Sequence, residues 1–98
     1  MPMHNPPHPG EFIELTYLEP LAVSHRKVAD LLDVSPSTFN RLVKGQSSVS
    51  PEMALRLSKT LGRSPESWLQ MQYNHDLWRA RKEVKLGRVK RLKINNAA

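Results

Sequence analysis

The stretch SHRKVADLLDVSPSTFNRLVKG, residues 24–45, decides the fold of this 98-residue chain. In its second half, Ser35 is a favourable N-cap, because its hydroxyl can accept from a backbone N–H that has no partner one turn later. Pro36 then takes the first helical position, where its missing N–H costs nothing. Gly45 follows where a left-handed residue commonly ends a helix. This half therefore predicts a short helix.

The predicted helix separates apolar from polar side chains. Phe39, Leu42 and Val43 recur at helical spacing and form an apolar stripe. The other face carries side chains that can donate hydrogen bonds to phosphates or base edges, namely Ser37, Thr38, Asn40, Arg41 and Lys44. No acidic residue occurs in residues 34–50. This donor-rich face favours contact with DNA.

The first half of the stretch predicts a preceding helix. Ser24 can cap it, Val28 and Leu32 share one face, and Asp33 follows at the turn. A turn this short usually has Gly at that position, but Asp tolerates a positive φ. Two short helices joined by three or four residues are typical of a helix-turn-helix. An ordinary helical hairpin in a small bundle is the alternative that the same pattern leaves open.

The composition is that of a single soluble domain. The chain is 39% hydrophobic, 24% charged and 6% aromatic, and 98 residues can close one modest core. No apolar run exceeds three residues, so we expect no contact with a membrane. The first ten residues lack Lys, Arg and a hydrophobic segment, so we also expect no secretory signal. The absence of cysteine excludes disulfides and agrees with a cytoplasmic location.

The positive charge is concentrated near the end of the sequence. The chain carries a formal net charge of +6, which predicts an anionic partner. Residues 79–98 contain eight basic residues and one acidic residue, whereas residues 1–78 contain seven basic and eight acidic residues. The excess therefore lies in the tail, and the predicted folded part is nearly neutral.

Three further helices are predicted outside the first stretch. One covers residues 10–19 and ends at Pro20. The sequences SPE at 50–52 and SPE at 64–66 each repeat the cap, the proline and the acidic residue that begin a helix. We expect the former helix to carry Arg56 outward and the latter to run to about residue 81. The sequence thus predicts an all-α fold with five helices.

These elements divide the chain into three parts. A proline-rich N-terminal arm covers residues 1–9, the helix-turn-helix domain covers 10–81, and a basic C-terminal tail covers 82–98. His4 and His8 in the arm are four apart, but the prolines between them prevent a shared helix, so we predict solvated turn residues and no metal site. The tail is either a solvated segment or one that orders on a phosphate backbone or a protein surface.

Aromatic residues supply a core candidate and a candidate interface. Trp68, in the first turn of its helix, is predicted to anchor the core. Tyr73, Leu77 and Trp78 come late in that helix and either join the core or form an exposed patch suited to a second protomer. No spacing of Ser, His and acidic residues suggests a nucleophile with its base, a metal cluster or a phosphate-binding glycine loop. We therefore predict that the protein is not an enzyme and needs no cofactor.

Four segments of the chain carry a resemblance to a known family: HPGEFIELTYLEPL (8–21), VADLLDVSPSTFNRLVKG (28–45), SPEMALRLSKTLGRSPESWLQMQ (50–72) and YNHDLWRAR (73–81). Together they resemble the HigA family of antitoxins, within the lambda-repressor-like, XRE-type helix-turn-helix proteins. The resemblance implies a five-helix lambda-repressor-like DNA-binding domain. It also implies a homodimeric antitoxin that represses its own operon and neutralises a RelE-like, ribosome-dependent mRNA-cleaving toxin. Asp33 in place of the usual turn Gly and the strongly basic tail depart from the family pattern.

The resemblance also implies which residues bind DNA. The recognition surface matches Ser35, Ser37, Thr38, Asn40, Arg41 and Lys44, and the start of the preceding helix matches Ser24, His25 and Lys27. Arg suits guanine and Asn suits adenine, so we expect Arg41 and Asn40 to contact base edges. A dimer would place two recognition helices about 34 Å apart on double-stranded DNA, which predicts an inverted-repeat operator. A stand-alone or phage-type repressor without a toxin partner is the alternative.

Overall fold

The computed structural model describes residues 5–93 and contains five helices and no strand within that range. The first helix, α1, is α-helical at Pro9–Ile13, a wider π-helix at Glu14–Leu18 and α-helical again at Glu19–Leu21. The others are α2 (His25–Leu32), α3 (Pro36–Val43), α4 (Pro51–Leu61) and α5 (Pro65–Glu83). The all-α prediction is confirmed. The described range excludes residues 1–4 of the arm, which include His4, and residues 94–98 of the tail.

The four predicted serine caps are present. Ser24, Ser35, Ser50 and Ser64 each accept a hydrogen bond from the backbone N–H three residues later, at 3.0 to 3.1 Å. A proline occupies the first position of α3, α4 and α5. These caps satisfy N–H groups that have no partner within the helix. The helix starts therefore follow directly from local sequence.

The prediction that Pro20 ends the first helix is wrong. The backbone N–H of Glu19 donates to the carbonyl of Glu14, five residues back, and the helix continues through Pro20 to Leu21. A proline inside a regular α-helix lacks one N–H and clashes with the carbonyl four residues earlier. The wider π turn removes that strict four-residue spacing just before the proline. The chain then leaves the helix at Ala22, which is left-handed with a φ of 52°.

One apolar core joins all five helices. Its buried members are Ile13, Leu18, Val28, Ala29, Leu32, Phe39, Leu42, Val49, Ala54, Leu57 and Trp68. Trp68 is fully buried, as predicted, and its indole Nε1 donates to the carbonyl of Gly62 at 2.9 Å. The indole N–H therefore keeps a partner inside the core. Val49 is fixed by the buried amide of Gln72, whose Oε1 accepts from the Val49 N–H at 2.9 Å.

The described part of the arm, residues 5–9, packs against the domain. His8 is buried, not solvated as predicted, because its Nδ1 accepts from the Gly10 N–H at 2.9 Å and so caps α1. The His8 ring meets the His75 ring edge-on at a centroid distance of 5.2 Å. The Nδ1 of His75 in turn lies 3.0 Å from the carbonyl oxygen of Pro6. The arm is therefore tied to both α1 and α5.

The end of α5 leaves apolar side chains exposed. Tyr73 is 64% exposed and Leu77 is 50% exposed, so neither belongs to the core. Trp78 is half-buried, with the Lys82 Nζ 4.3 Å from its ring centroid. Beyond α5, residues 84–93 form no helix or strand and every one of them is exposed. No helix in the described part of the chain is long and apolar enough to cross a bilayer.

Candidate nucleic-acid interface

α3 turns one face to the core and the other to solvent. Phe39 and Leu42 are buried, as the apolar stripe predicts. Across the helix, Ser37, Arg41 and Lys44 are exposed. The helix-turn-helix prediction is therefore confirmed in its main feature, since the donor-rich face of α3 lies outward.

Three hydroxyl groups gather at the N-terminus of α3. Ser35 accepts from the backbone N–H of Thr38 at 3.1 Å and donates to the Thr38 hydroxyl at 2.8 Å. The hydroxyl oxygen of Ser37 lies 3.3 Å from that of Ser35. A helix N-terminus carries a partial positive charge, so hydroxyl donors placed there suit the approach of a phosphate.

The turn between α2 and α3 has the conformation expected from its sequence. Asp33 adopts a left-handed conformation with a φ of 58° and donates its N–H to the carbonyl of Asp30 at 3.1 Å. Val34 donates to the carbonyl of Ala29 at 3.0 Å, and its half-buried side chain packs on the core. Asp thus fills the position where a Gly is usual.

Arg56 of α4 supports this turn, a role that the sequence analysis missed. Its Nη1 donates to the carbonyls of Leu32 and Asp33 at 2.8 and 3.1 Å. The prediction that Arg56 points outward is wrong, because the last carbonyls of α2 have no partner within their own helix and attract the guanidinium. Glu52, one turn earlier, lies 3.4 Å from Arg56 Nη2. The contact spans 24 residues, so no local pattern indicates it.

Two predicted DNA-contacting residues contact each other instead of projecting freely. His25 Nδ1 lies 2.9 Å from Asn40 Oδ1, and His25 Nε2 lies 3.2 Å from Glu14 Oε1. The His25 ring also packs edge-on against Phe39 at 6.0 Å. A bidentate contact with adenine needs both the oxygen and the amide of Asn. With its oxygen engaged, Asn40 offers only its amide.

The other predicted residues, except the half-buried Thr38, are exposed on α2 and α3 or at the caps of these helices. Ser24 and Lys27 are exposed at the start of α2. Within residues 5–93, no carboxylate lies within 4.0 Å of a side-chain nitrogen of Lys27, Arg41 or Lys44. Their charges are therefore available to phosphates, which are the most frequent partners of such side chains in protein–DNA interfaces.

The far end of α3 is held by the start of α1. A Cβ atom added at Gly10 would lie only 2.0 Å from the carbonyl oxygen of Leu42 and 2.7 Å from that of Val43. The His8 ring lies beside Gly45, which has a φ of +75°. The recognition helix is thus fixed at its C-terminal end by close backbone packing.

The pKa of His8, whose ring lies beside Gly45, is lower than its ordinary value. Burial lowers the pKa of His8, and the neighbouring His75 lowers it further. A hydrogen bond with the Ser47 backbone acts in the opposite direction. Although two imidazoles meet here, no group of three or more His, Asp or Glu residues in the described part of the chain could hold a metal ion.

A family model described as "Helix-turn-helix" matches residues 16–68, which include all of α2, α3 and α4. The chain is 41% identical over 92 residues to the uncharacterized HTH-type transcriptional regulator YddM of Escherichia coli (strain K12). That match covers 94% of this chain and 97% of YddM.

Two solved structures extend the likeness to three dimensions. The antitoxin GraA superposes with a TM-score of 0.86 at 34% identity, covering 92% of this chain and 100% of GraA. The antitoxin HigA of Pseudomonas aeruginosa, solved with the higBA promoter, gives a TM-score of 0.72 at 30% identity. That match covers 82% of this chain and 96% of the HigA chain.

Proposed function

Because the chain belongs to the XRE-type helix-turn-helix family that includes the HigA antitoxins, we propose that it is a sequence-specific, operator-binding antitoxin. In this function it represses its own operon and neutralises a RelE-like mRNA-cleaving toxin in the cytoplasm. DNA binding is supported by the chemistry of this chain, whereas toxin neutralisation is supported by its family alone.

The exposed face of α3 carries the DNA-binding part of the proposal. Its apolar side is buried while Arg41, Lys44 and the hydroxyl groups at its start face outward. We assign base contact to Arg41, because a guanidinium can donate two parallel hydrogen bonds to guanine. We assign phosphate contact to Ser35, Ser37, Lys44, Ser24 and Lys27. Thr38 and Asn40 are half-buried and contribute at the edge of the contact.

Dimerisation follows from the small footprint of one recognition helix. A two-fold dimer places two such helices in successive major grooves, about 34 Å apart, and so selects an inverted-repeat operator. We assign the dimer surface to the exposed Tyr73 and Leu77 with the half-buried Trp78, at the end of α5. Tyr73 and Leu77 are four residues apart and therefore lie on the same face of α5, and an exposed apolar face favours a protein contact.

Substitution of Arg41 tests the assigned base contact. We expect Arg41→Ala to weaken binding at one base pair by about 1–3 kcal/mol and to relax specificity there. Fluorescence anisotropy would compare wild type and variant on the operator and on duplexes altered at each position in turn. Lys59→Ala, an exposed change on α4, is the control and should leave the base preference unchanged. Unaltered operator recognition by Arg41→Ala would show that this face of α3 does not contact bases.

Toxin neutralisation needs a separate experiment. Co-expression with the protein encoded by the neighbouring gene should yield a stable complex and restore growth that the neighbour alone arrests. No complex and no growth rescue would reject this part of the proposal. Operator binding without a toxin partner would instead support a stand-alone repressor, the alternative favoured by the likeness to a protein described as a transcriptional regulator.

A further inference from the structure

The segment 84–93 is exposed, basic and unpaired. It contains Lys85, Arg88, Lys90, Arg91 and Lys93 and no acidic residue. All ten of its residues are exposed, and within residues 5–93 no carboxylate lies within 4.0 Å of its basic nitrogens. Two backbone hydrogen bonds outside regular helices involve it in the described chain: the Val84 N–H donates to the Ala80 carbonyl at 2.8 Å, and the Val89 N–H donates to the Leu86 carbonyl at 3.0 Å. We call residues 84–93 the basic segment.

The rest of the protein contributes little net attraction to a polyanion. Residues 1–78 carry one more acidic than basic residue, so this part of the chain has no net positive charge to offer DNA. Affinity for duplex DNA depends strongly on how many phosphates Lys and Arg neutralise. The basic segment therefore holds the largest reserve of unpaired positive charge in the described chain.

The residue pattern of the segment suits a charged partner better than an apolar groove. Leu86, Val89 and Leu92 recur every third residue, and basic residues recur beside them at the same interval. In a helix, Lys85 and Lys93 would fall within the arc occupied by these aliphatic side chains, and in a strand Val89 would face away from the two leucines. Neither structure yields a continuous apolar face. Basic side chains on every side match the phosphates of a duplex.

We propose that the basic segment binds the phosphate backbone of the duplex beside the operator half-site contacted by α3. It adds to the sequence-independent affinity that the phosphate contacts of α2 and α3 provide, while Arg41 supplies specificity. This inference rests on the proposed operator binding and adds to it a second DNA-contacting element outside the helix-turn-helix. Binding would release counterions from the duplex and replace them with the five side chains.

Salt dependence measures the contribution of the segment directly. The test variant changes Lys85, Arg88, Lys90, Arg91 and Lys93 to Gln in the full chain. Each lost phosphate contact makes the slope of log K against log salt shallower by about 0.9, so we expect a change of about 2 to 4 per protomer. The change should be similar on the operator and on a scrambled duplex. The matched control changes Leu86, Val89 and Leu92 to Ser, which keeps every charge and should leave the slope unaltered.

The outcomes separate this inference from the proposed function. Suppose that the wild type distinguishes operator from scrambled duplex, but the slope of the Gln variant differs from that of wild type by less than about 2 per protomer. This result would overturn the role of the basic segment and leave operator binding intact. A slope altered by the Ser variant but not by the Gln variant would overturn that role too, because the salt dependence would then not arise from the charges of the segment. Wild type that fails to distinguish the two duplexes would overturn operator binding itself.

Discussion

At the level of single residues, Gly10 sets how closely α1 approaches the recognition helix. The absence of a side chain lets its Cα rest on the carbonyls that end α3. This contact needs a glycine because of space and not because of a positive φ, since Gly10 lies inside a regular helical segment. No feature of the local sequence distinguishes this glycine from one that merely begins a helix.

The Gly10→Ala variant should be strongly destabilised. The added methyl would meet the Leu42 carbonyl at 2.0 Å, and backbone atoms cannot move aside as a flexible side chain can. Overpacking of this kind typically costs about 1–3 kcal/mol in the free energy of unfolding, which urea denaturation would measure. Gly87→Ala is the control, because an added Cβ there meets nothing within 4 Å. Equal stability of both variants would show that α1 does not approach α3 so closely.

His8 should make stability depend on pH. Its pKa is lowered in the folded state from an ordinary value of 6.5, chiefly by burial and then by His75. The unfolded chain therefore binds a proton more readily, and stability is lost as the pH falls through 6.5 towards the folded pKa. The nearby Asp76 and Arg79 raise and lower this pKa respectively.

The His8→Asn variant isolates that contribution. Asn can still accept from the Gly10 N–H as an N-cap, but it does not titrate. We expect the loss of unfolding free energy between pH 7.5 and pH 5.5 to be smaller in the variant than in wild type. Urea denaturation at the two pH values provides the measurement. Parallel losses in both proteins would contradict the assignment to His8.

Residue-scale prediction from sequence was accurate where the cause is local. Ser35 caps α3 and Asp33 is left-handed because each depends on a few adjacent backbone atoms. It failed for His8, whose burial depends on α5, and it did not foresee that His25 engages Asn40 across 15 residues. The sequence thus predicted which face of α3 forms the candidate site, but it did not predict the contact between His25 and Asn40 within that site.

At the level of elements, the helix-turn-helix is completed by α4. Arg56 caps the last carbonyls of α2, and the Thr60 hydroxyl donates to the Leu31 carbonyl at 3.3 Å. Both contacts fix the angle at which the chain enters the turn before α3. The helix starts could be predicted because serine and proline mark them, whereas this support for a helix end comes from a distant element.

Arg56→Met should loosen this support. The variant retains much of the aliphatic stem but leaves the Leu32 and Asp33 carbonyls without their donor, at a cost of about 1–3 kcal/mol in unfolding free energy. Thermal or urea denaturation would measure the loss. Lys59→Met, on the exposed side of the same helix, should change stability by less than about 0.5 kcal/mol. If the Arg56 variant were as stable as this control, the hydrogen bonds from α4 would not stabilise the turn.

At the level of the whole molecule, the exposed end of α5 bears on assembly. The sequence left two possibilities for Tyr73, Leu77 and Trp78, and the exposure of the first two excludes the core for them. The proposed contact with a second protomer could not be located from the sequence, because one chain's hydrophobic pattern does not give the position of another molecule. The fold class was predictable because helix periodicity recurs along the chain and serine caps mark the starts of four of the five helices.

Leu77→Glu should disrupt the proposed dimer without unfolding the protomer. A carboxylate at an apolar interface loses its hydration, whereas at a position already 50% exposed it leaves the monomer intact. Light scattering after size-exclusion chromatography should report a monomer, and affinity for an inverted-repeat operator should fall. Leu55→Glu, at a position 63% exposed on α4, is the control. A dimeric Leu77→Glu protein would place the interface elsewhere.

The π turn in α1 has a consequence for aligning this chain with its relatives. A π turn holds about one residue more than the α turn it replaces, and here it stands immediately before Pro20. Deleting one residue from this turn would restore regular helical register, but it would also return the proline ring to its clash. The number of residues in this turn of α1 and the presence of proline after it therefore depend on each other. Relatives without the proline are expected to show a single-residue gap beside it, and engineered deletions there should succeed only when Pro20 is replaced as well.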